Sequence, residues 1–306
     1  FKFAMLRTIK ILSELGFNLV LFFVVPAYLA EHPQSILLKF IPATADFSYI
    51  IFAVFLSCVV CTLLFVPDIL KMKLSFNKGL WKEMMAYSIP LMVAGLPGIV
   101  NESFDRILFR FFAPEGAVWR ADLGEYQAAV KLAVIMNLFI QMFRYAAEPF
   151  FFARGKNKEL LAKVMEYFTA FCGLVFLGVI LYIDIIALIL GPQFRSAVGI
   201  VPIMLLSYMI LGMLFNVSMW YKLSGKTNMA IWITLSGLVV TAIVIILFMP
   251  KYSYWAAAFG HLASYVVMFA ISSVLGAKYY PIPYRWGRLL MIVLAMGAMY
   301  GVSTLI

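Results

Sequence analysis

Charge is the scarcest commodity in this 306-residue chain: only 12% of residues are Asp, Glu, Lys or Arg, while 65% are hydrophobic and the mean hydropathy is +1.00. Soluble domains run near 45–50% apolar and about 25% charged, so the composition excludes an ordinary water-soluble fold. The solvent is a bilayer. Histidine is nearly absent, with only His32 and His261, which removes the clustered ligands of a zinc enzyme. The three cysteines exclude a disulfide framework, since Cys58 and Cys61 form a lone C-x-x-C inside an apolar run and Cys172 stands alone in another. A long polar stretch is also missing, and with it the soluble loop that carries catalytic groups in many membrane enzymes.

What is present in quantity is apolar sequence in lengths of about 20 residues, the span of one transmembrane helix. Nine segments qualify: 11–30, 49–66, 85–112, 123–152, 160–182, 199–221, 228–249, 254–276 and 287–306. Turn chemistry separates several of them, at Gly191-Pro192, at Pro250-Lys251 and across Tyr279 to Tyr284 with its two prolines. The chain starts FKFAMLRTIK without Met or a signal-peptide pattern and stops at STLI, which reads as a piece of a longer membrane protein. The fold class expected is an all-α integral membrane protein.

The basic residues alternate from loop to loop. With the first segment running outward, the inner loops hold Lys2, Arg7 and Lys10, then Lys71, Lys73, Lys78 and Lys82, then Arg154, Lys156 and Lys158, then Lys222 and Lys226, and last Lys278, Arg285 and Arg288. The outer loops hold only Lys39, Arg120, Arg195 and Lys251. Such asymmetry is the positive-inside bias. It accounts for the net charge of +10 without any nucleic-acid partner. The inner segment 67–84, PDILKMKLSFNKGLWKEM, mixes Lys with Leu, Phe and Trp; it suits either a segment lying on the anionic inner surface or a plain connector.

Two spans hold polar residues that hydrocarbon penalises by about 2.5–3.5 kcal/mol per charge. In GLPGIVNESFDRILFR, Gly95, Gly98, Glu102 and Arg106 project within about 80° of arc, with Asp105 beside them. In the following span Tyr126, Asn137, Gln141, Arg144 and Glu148 fall within about 60°, with Lys131 at the flank. Structural ion pairing, Glu102 with Arg106 or Arg144 with Glu148, is one explanation. A water-accessible cavity wall is the explanation that also covers the whole column. Weaker signals fall away: Gly225-Lys226-Thr227 lacks the first glycine of a phosphate loop, where Trp220 stands, and Asn101-Glu102-Ser103 is a glycosylation pattern by letters only.

The stretches YSIPLMVAGLPGIVNESFDRILFR, LGEYQAAVKLAVIMNLFIQMFRYAAEPFFF, NVSMWYKLSGKTNMA and AKYYPIPY resemble the oligosaccharide flippases of the polysaccharide-biosynthesis (PST) family. That family lies in the MOP flippase superfamily with the lipid II flippases and the MATE exporters. The resemblance implies two helical bundles enclosing a central cavity that opens alternately to each side. Residues 1–66 then look like the last two helices of the first bundle, 67–84 a cytoplasmic linker, 85–276 the second six-helix bundle and 277–306 an additional helix.

The ligand implied is an undecaprenyl-pyrophosphate-linked oligosaccharide, moved between leaflets of the bacterial inner membrane beside polysaccharide polymerase and assembly proteins. On this reading Arg144 meets the pyrophosphate near the cytoplasmic mouth, with Lys131 and Arg106 further along, because guanidinium forks suit phosphate oxygens. Asn137, Gln141 and Tyr126 meet sugar hydroxyls. Glu102, Asp105 and Glu148 hold the cations or carry a coupling H⁺ or Na⁺; no other cofactor is implied. A MATE-like cation exporter is the alternative, but its cavity should be net acidic, whereas Glu102, Asp105, Glu125 and Glu148 balance Arg106, Arg110, Lys131 and Arg144. A membrane enzyme of polysaccharide assembly ranks third.

Overall fold

A computed structural model describes residues 2–31, 47–71, 76–114 and 118–303. The described residues contain no β-strand, and nine helices are long and apolar enough to cross a membrane. Each overlaps one of the nine segments expected from hydropathy, with some ends displaced outward, as at Lys78 and Pro192. The protein is therefore an all-α, multi-pass membrane protein. His32, Lys39 and Lys73 lie outside the described residues.

The chain divides into two compact units, Phe1–Asn77 and Lys78–Ile306. In the first, α1 (Lys2–Leu19) continues through a π-helical turn at Val20–Val24 into α2 (Val25–Glu31). The widened turn ends two residues before Pro26, whose ring cannot tolerate the normal approach of the carbonyl four residues back. The antiparallel α3 (Phe47–Lys71) closes against α1 and the wide turn through Leu21, Tyr49 and Ala53. The rings of Phe22 and Tyr49 meet edge to face at 5.5 Å.

The second unit contains α4 (Lys78–Phe112), α5 (Trp119–Arg154) and α6 (Lys158–Leu181), then a short α7 (Ile183–Ala187). A 3₁₀ stretch at Pro192–Ile200 leads into α8 (Val201–Val217) and the one-turn α9 (Met219–Leu223). The chain ends with α10 (Met229–Tyr252), α11 (Tyr254–Tyr279) and α12 (Trp286–Ser303). At 1.5 Å per residue α5 is about 54 Å long, well beyond a hydrocarbon core of about 30 Å. Its ends therefore stand in the headgroup region or in water.

Packing does not follow chain order. α4 lies on α10 and touches α5 only slightly. α10 packs on α11, α11 on α8, α8 on both α5 and α6, and α6 on α12. The central position of α8 shows in its burial: Met204, Leu205, Met209 and Leu214 are all sealed in one apolar core with Met136 and Ile140 of α5 and Met165 of α6. Large apolar side chains such as Phe23, Leu63, Leu174, Trp232 and Val274 point outward, as a protein dissolved in lipid requires.

Helix ends are marked by local chemistry. Asn157 caps α6, its side chain accepting from the Leu160 amide at 3.1 Å. Two expectations are corrected here. Pro250-Lys251 does not end the helix, which runs on to Tyr252; the break falls at Ser253, whose φ of 46° turns the chain. Its hydroxyl donates to Asp122 at 2.6 Å, tying the α10–α11 turn to the start of α5. A proline near a helix end removes one hydrogen bond but leaves the exposed last turn able to form. Nor is 67–84 a connector along its whole length, since α3 runs to Lys71 and α4 begins at Lys78.

Gly212 of α8 illustrates how close the helices approach. A Cβ there would lie 2.5 Å from the Phe168 ring, and that buried ring is held against Phe143 with centroids 4.4 Å apart. Gly212→Ala is expected to destabilise the protein by about 1–3 kcal/mol, the usual cost of overpacking, read as a lowered melting temperature in detergent. Gly95→Ala, whose added carbon would touch nothing within 4 Å, is expected to leave the melting temperature unchanged or slightly raised; equal losses for the two variants would refute the packing argument.

Candidate functional site

The second unit contains a cavity of about 520 Å³ between α4, α5, α8, α9, α10 and α11. Its size falls in the ordinary range of ligand pockets, about 300–1,000 Å³. Most of its wall is apolar, from Leu91, Ile99, Ile140, Phe143, Leu211, Ile233 and Met268 among others. Gly95 and Gly98 help to form it, and a Cβ on either would reach open space. Four charged residues border the cavity: Glu102 of α4, Arg144 and Glu148 of α5, and Lys222 of α9.

Of the nine residues singled out from helical projection, the structure brings three to this cavity. Arg144 is half-buried, and its guanidinium carbon sits 4.9 Å above the centroid of the Phe215 ring. That cation–π contact orients the side chain without neutralising it. No carboxylate lies within 4 Å of Arg144 among the described residues. Glu148 is engaged by the Lys222 ammonium. Neither Glu102–Arg106 nor Arg144–Glu148 forms the intrahelical pair that sequence spacing allowed. Glu102 is exposed on the cavity wall.

The other six lie elsewhere. Tyr126 is only 1% exposed, packed on Phe109 with ring centroids 5.7 Å apart. Its phenol interacts with Asp105. Asp105, itself 2% exposed, also faces His261 Nε2 at 3.3 Å and accepts from the Arg106 amide at 2.7 Å. Arg106 and Lys131 are exposed, and neither borders the cavity. Asn137 and Gln141 are half-buried, again outside its wall. The polar face of α5 is thus split: its Arg144 and Glu148 end opens on the cavity, and its Tyr126 end is sealed in protein. The reason is the packing order, because α4 turns its polar side to α10 and α11 rather than to α5 alone.

Sequence reasoning missed the residues that complete the site. Asn101 donates from Nδ2 to Ser264 Oγ at 3.3 Å and accepts from the Thr241 hydroxyl, joining α4, α11 and α10. Ser264 in turn donates to the Gly237 carbonyl at 2.9 Å. Asn101 precedes Asp105 by four residues and so shares its helical face, a signal that was legible. His261 gave no such signal, because its partner is 156 residues away. Lys222 read as an ordinary inner-loop cation. It is carried to the cavity by α9, which is pinned to α11 by the Trp220 indole donating to Ser272 Oγ at 3.2 Å and by Trp220 stacking on Tyr279. Gly276 makes room for that indole, since a Cβ there would lie 2.9 Å from it. No group of three or more metal-ligating side chains occurs among the described residues.

Asn101→Leu is expected to cost about 1–3 kcal/mol, because it leaves the buried Thr241 hydroxyl without an acceptor. Adding Thr241→Val should recover part of that loss. Strict additivity of the two substitutions in thermal unfolding would show that the hydrogen bond is not the source of the effect.

No curated protein and no solved structure matches the chain. A family model described as polysaccharide biosynthesis protein does match, over residues 42–153. That stretch takes in α3, α4 and all but the last residue of α5, and with them all nine residues singled out from the sequence. Over residues 42–153, and so across these helices, the chain is similar to the polysaccharide biosynthesis protein family.

Proposed function

We propose that the protein is a flippase that moves an undecaprenyl-pyrophosphate-linked oligosaccharide from the cytoplasmic to the periplasmic leaflet of a bacterial inner membrane. The observation that carries this reading is Arg144. A guanidinium without a carboxylate partner, held over an aromatic ring on the wall of a membrane-embedded cavity, is suited to an anionic ligand. The positive-inside bias places Lys222, and hence this end of the cavity, toward the cytoplasm. A pyrophosphate cannot cross hydrocarbon unaided, and a guanidinium fork binds two of its oxygens at once.

Lys222 supplies a second cation once a phosphate competes with Glu148 for it. Glu102 and Glu148 return the wall to neutrality when it is empty, which favours releasing the ligand over trapping it. In this scheme Glu102, or the more deeply buried Asp105, exchanges the coupling H⁺ or Na⁺. Transport proceeds by alternating access and involves no bond-making step, so the protein is a transporter rather than an enzyme. Its partners are the lipid-linked glycan, the surrounding lipids and the machinery that polymerises the glycan outside.

The test is transbilayer movement of a fluorescent pyrophosphate-linked oligosaccharide by the full-length protein in proteoliposomes. Arg144→Ala is expected to slow it at least about tenfold, the loss of a hydrogen bond to a charged group, with an unchanged melting temperature. Wild-type speed in the variant would remove Arg144 from the mechanism. Efflux of organic cations without movement of any lipid-linked sugar would make the protein a cation exporter instead.

A further inference from the structure

Asn216 is the one amide in the apolar sequence of α8, VPIMLLSYMILGMLFNV. It is 4% exposed and borders the cavity. Its Nδ2 donates to the Gly212 carbonyl at 3.1 Å. This bond settles which way the amide faces, because a carbonyl oxygen accepts and does not donate, so the flipped amide would set oxygen against oxygen. The consequence is that Oδ1 is left over. It is buried, and it has no hydrogen-bond partner among the described residues. A buried acceptor in that state costs about 1–3 kcal/mol, and buried polar groups in proteins are otherwise almost always satisfied.

The neighbours of Asn216 indicate what would satisfy it. Phe215, the preceding residue, carries the Arg144 guanidinium on its ring. Lys222 follows within two turns and borders the same cavity. An unmet acceptor on a residue bordering a cavity that two cations also border calls for a ligand with an anionic group joined to a hydrogen-bond donor. An ionised pyrophosphate provides acceptors only. The sugar attached to it provides hydroxyl and, in acetamido sugars, N–H donors. We propose that Asn216 Oδ1 accepts a hydrogen bond from the sugar linked to the pyrophosphate, so that this residue distinguishes the loaded carrier lipid from the bare one. The inference rests on the flippase reading above. It gives that reading a specificity element: Arg144 and Lys222 hold what both lipids share, and Asn216 reads what only the substrate has. A carrier returning empty would then be a poorer ligand than one arriving with its glycan.

The experiment compares the Kd of the full-length protein in nanodiscs for two probes, bare undecaprenyl pyrophosphate and the same lipid bearing one N-acetylhexosamine. Wild type is expected to prefer the glycosylated lipid by about three- to tenfold, the net value of one hydrogen bond. Asn216→Leu, similar in volume and lacking the acceptor, is expected to lose the preference while keeping its affinity for the bare lipid. Arg144→Ala is expected to weaken both probes and keep the preference. Should the leucine variant melt early, Asn216→Ala provides the same comparison. A preference that survives removal of the amide, or equal binding of the two lipids by wild type, overturns the assignment to Asn216 and leaves the flippase reading standing. Wild type binding neither lipid overturns both.

Discussion

Hydrocarbon offers no hydrogen bonds, and the rest of this structure depends on that. Helices satisfy their own backbones, so the choice of fold is nearly forced once the chain enters a bilayer. Side chains are the harder problem. Each amide, hydroxyl or charge within the spans must find protein or a wet space, and the packing order of the second unit is arranged around that need. Asn101 finds Thr241 and Ser264, and Asp105 finds His261, so α4 is bound to α10 and α11 by polar contacts as well as apolar ones. Between helices already surrounded by lipid there is little hydrophobic drive to associate. Specific polar contacts of this kind therefore select which helices meet.

The cavity follows from the same arrangement. With α4 standing on α10 and α5 standing on α8, the two longest helices of the unit lean on different partners and leave space between them. Gly95 and Gly98 keep α4 from filling it. On the other side α9 is held in place by Trp220, whose indole is fully enclosed, and this rigid seat brings Lys222 opposite Glu148. A cation on a single-turn helix would otherwise be free to move into water. The ion pair at the cavity is thus a product of aromatic packing some distance from it.

Charge around the cavity is balanced, two cations against two anions, yet the pairs are not equivalent. Glu148 and Lys222 neutralise each other, whereas Arg144 meets an aromatic face and Glu102 meets open space. A fully paired wall would bind nothing charged, and an unpaired cationic wall in a low-dielectric setting would hold an anion too firmly to release it. The flippase proposed above requires the intermediate case, in which a ligand phosphate competes with a carboxylate of the protein.

Hydropathy and helical period determined a good deal of this protein by themselves. The nine spans, the all-helical class and the polar faces of α4 and α5 were legible, because length and apolar run are set by bilayer thickness and face by the 3.6-residue period. Arg144, Glu102 and Glu148 were read as a cavity wall and do border one. Tyr126, Lys131, Arg106, Asn137 and Gln141 shared the same projections and lie off it. A projection gives a direction around one helix axis; it does not say which neighbour occupies that direction, or where along the axis protein gives way to open space. Those facts arise from contacts between residues far apart in sequence, such as Asp105 with His261 or Glu148 with Lys222. Only the tertiary structure decided them, because hydrophobic period is a property of one helix and a binding site is a property of several.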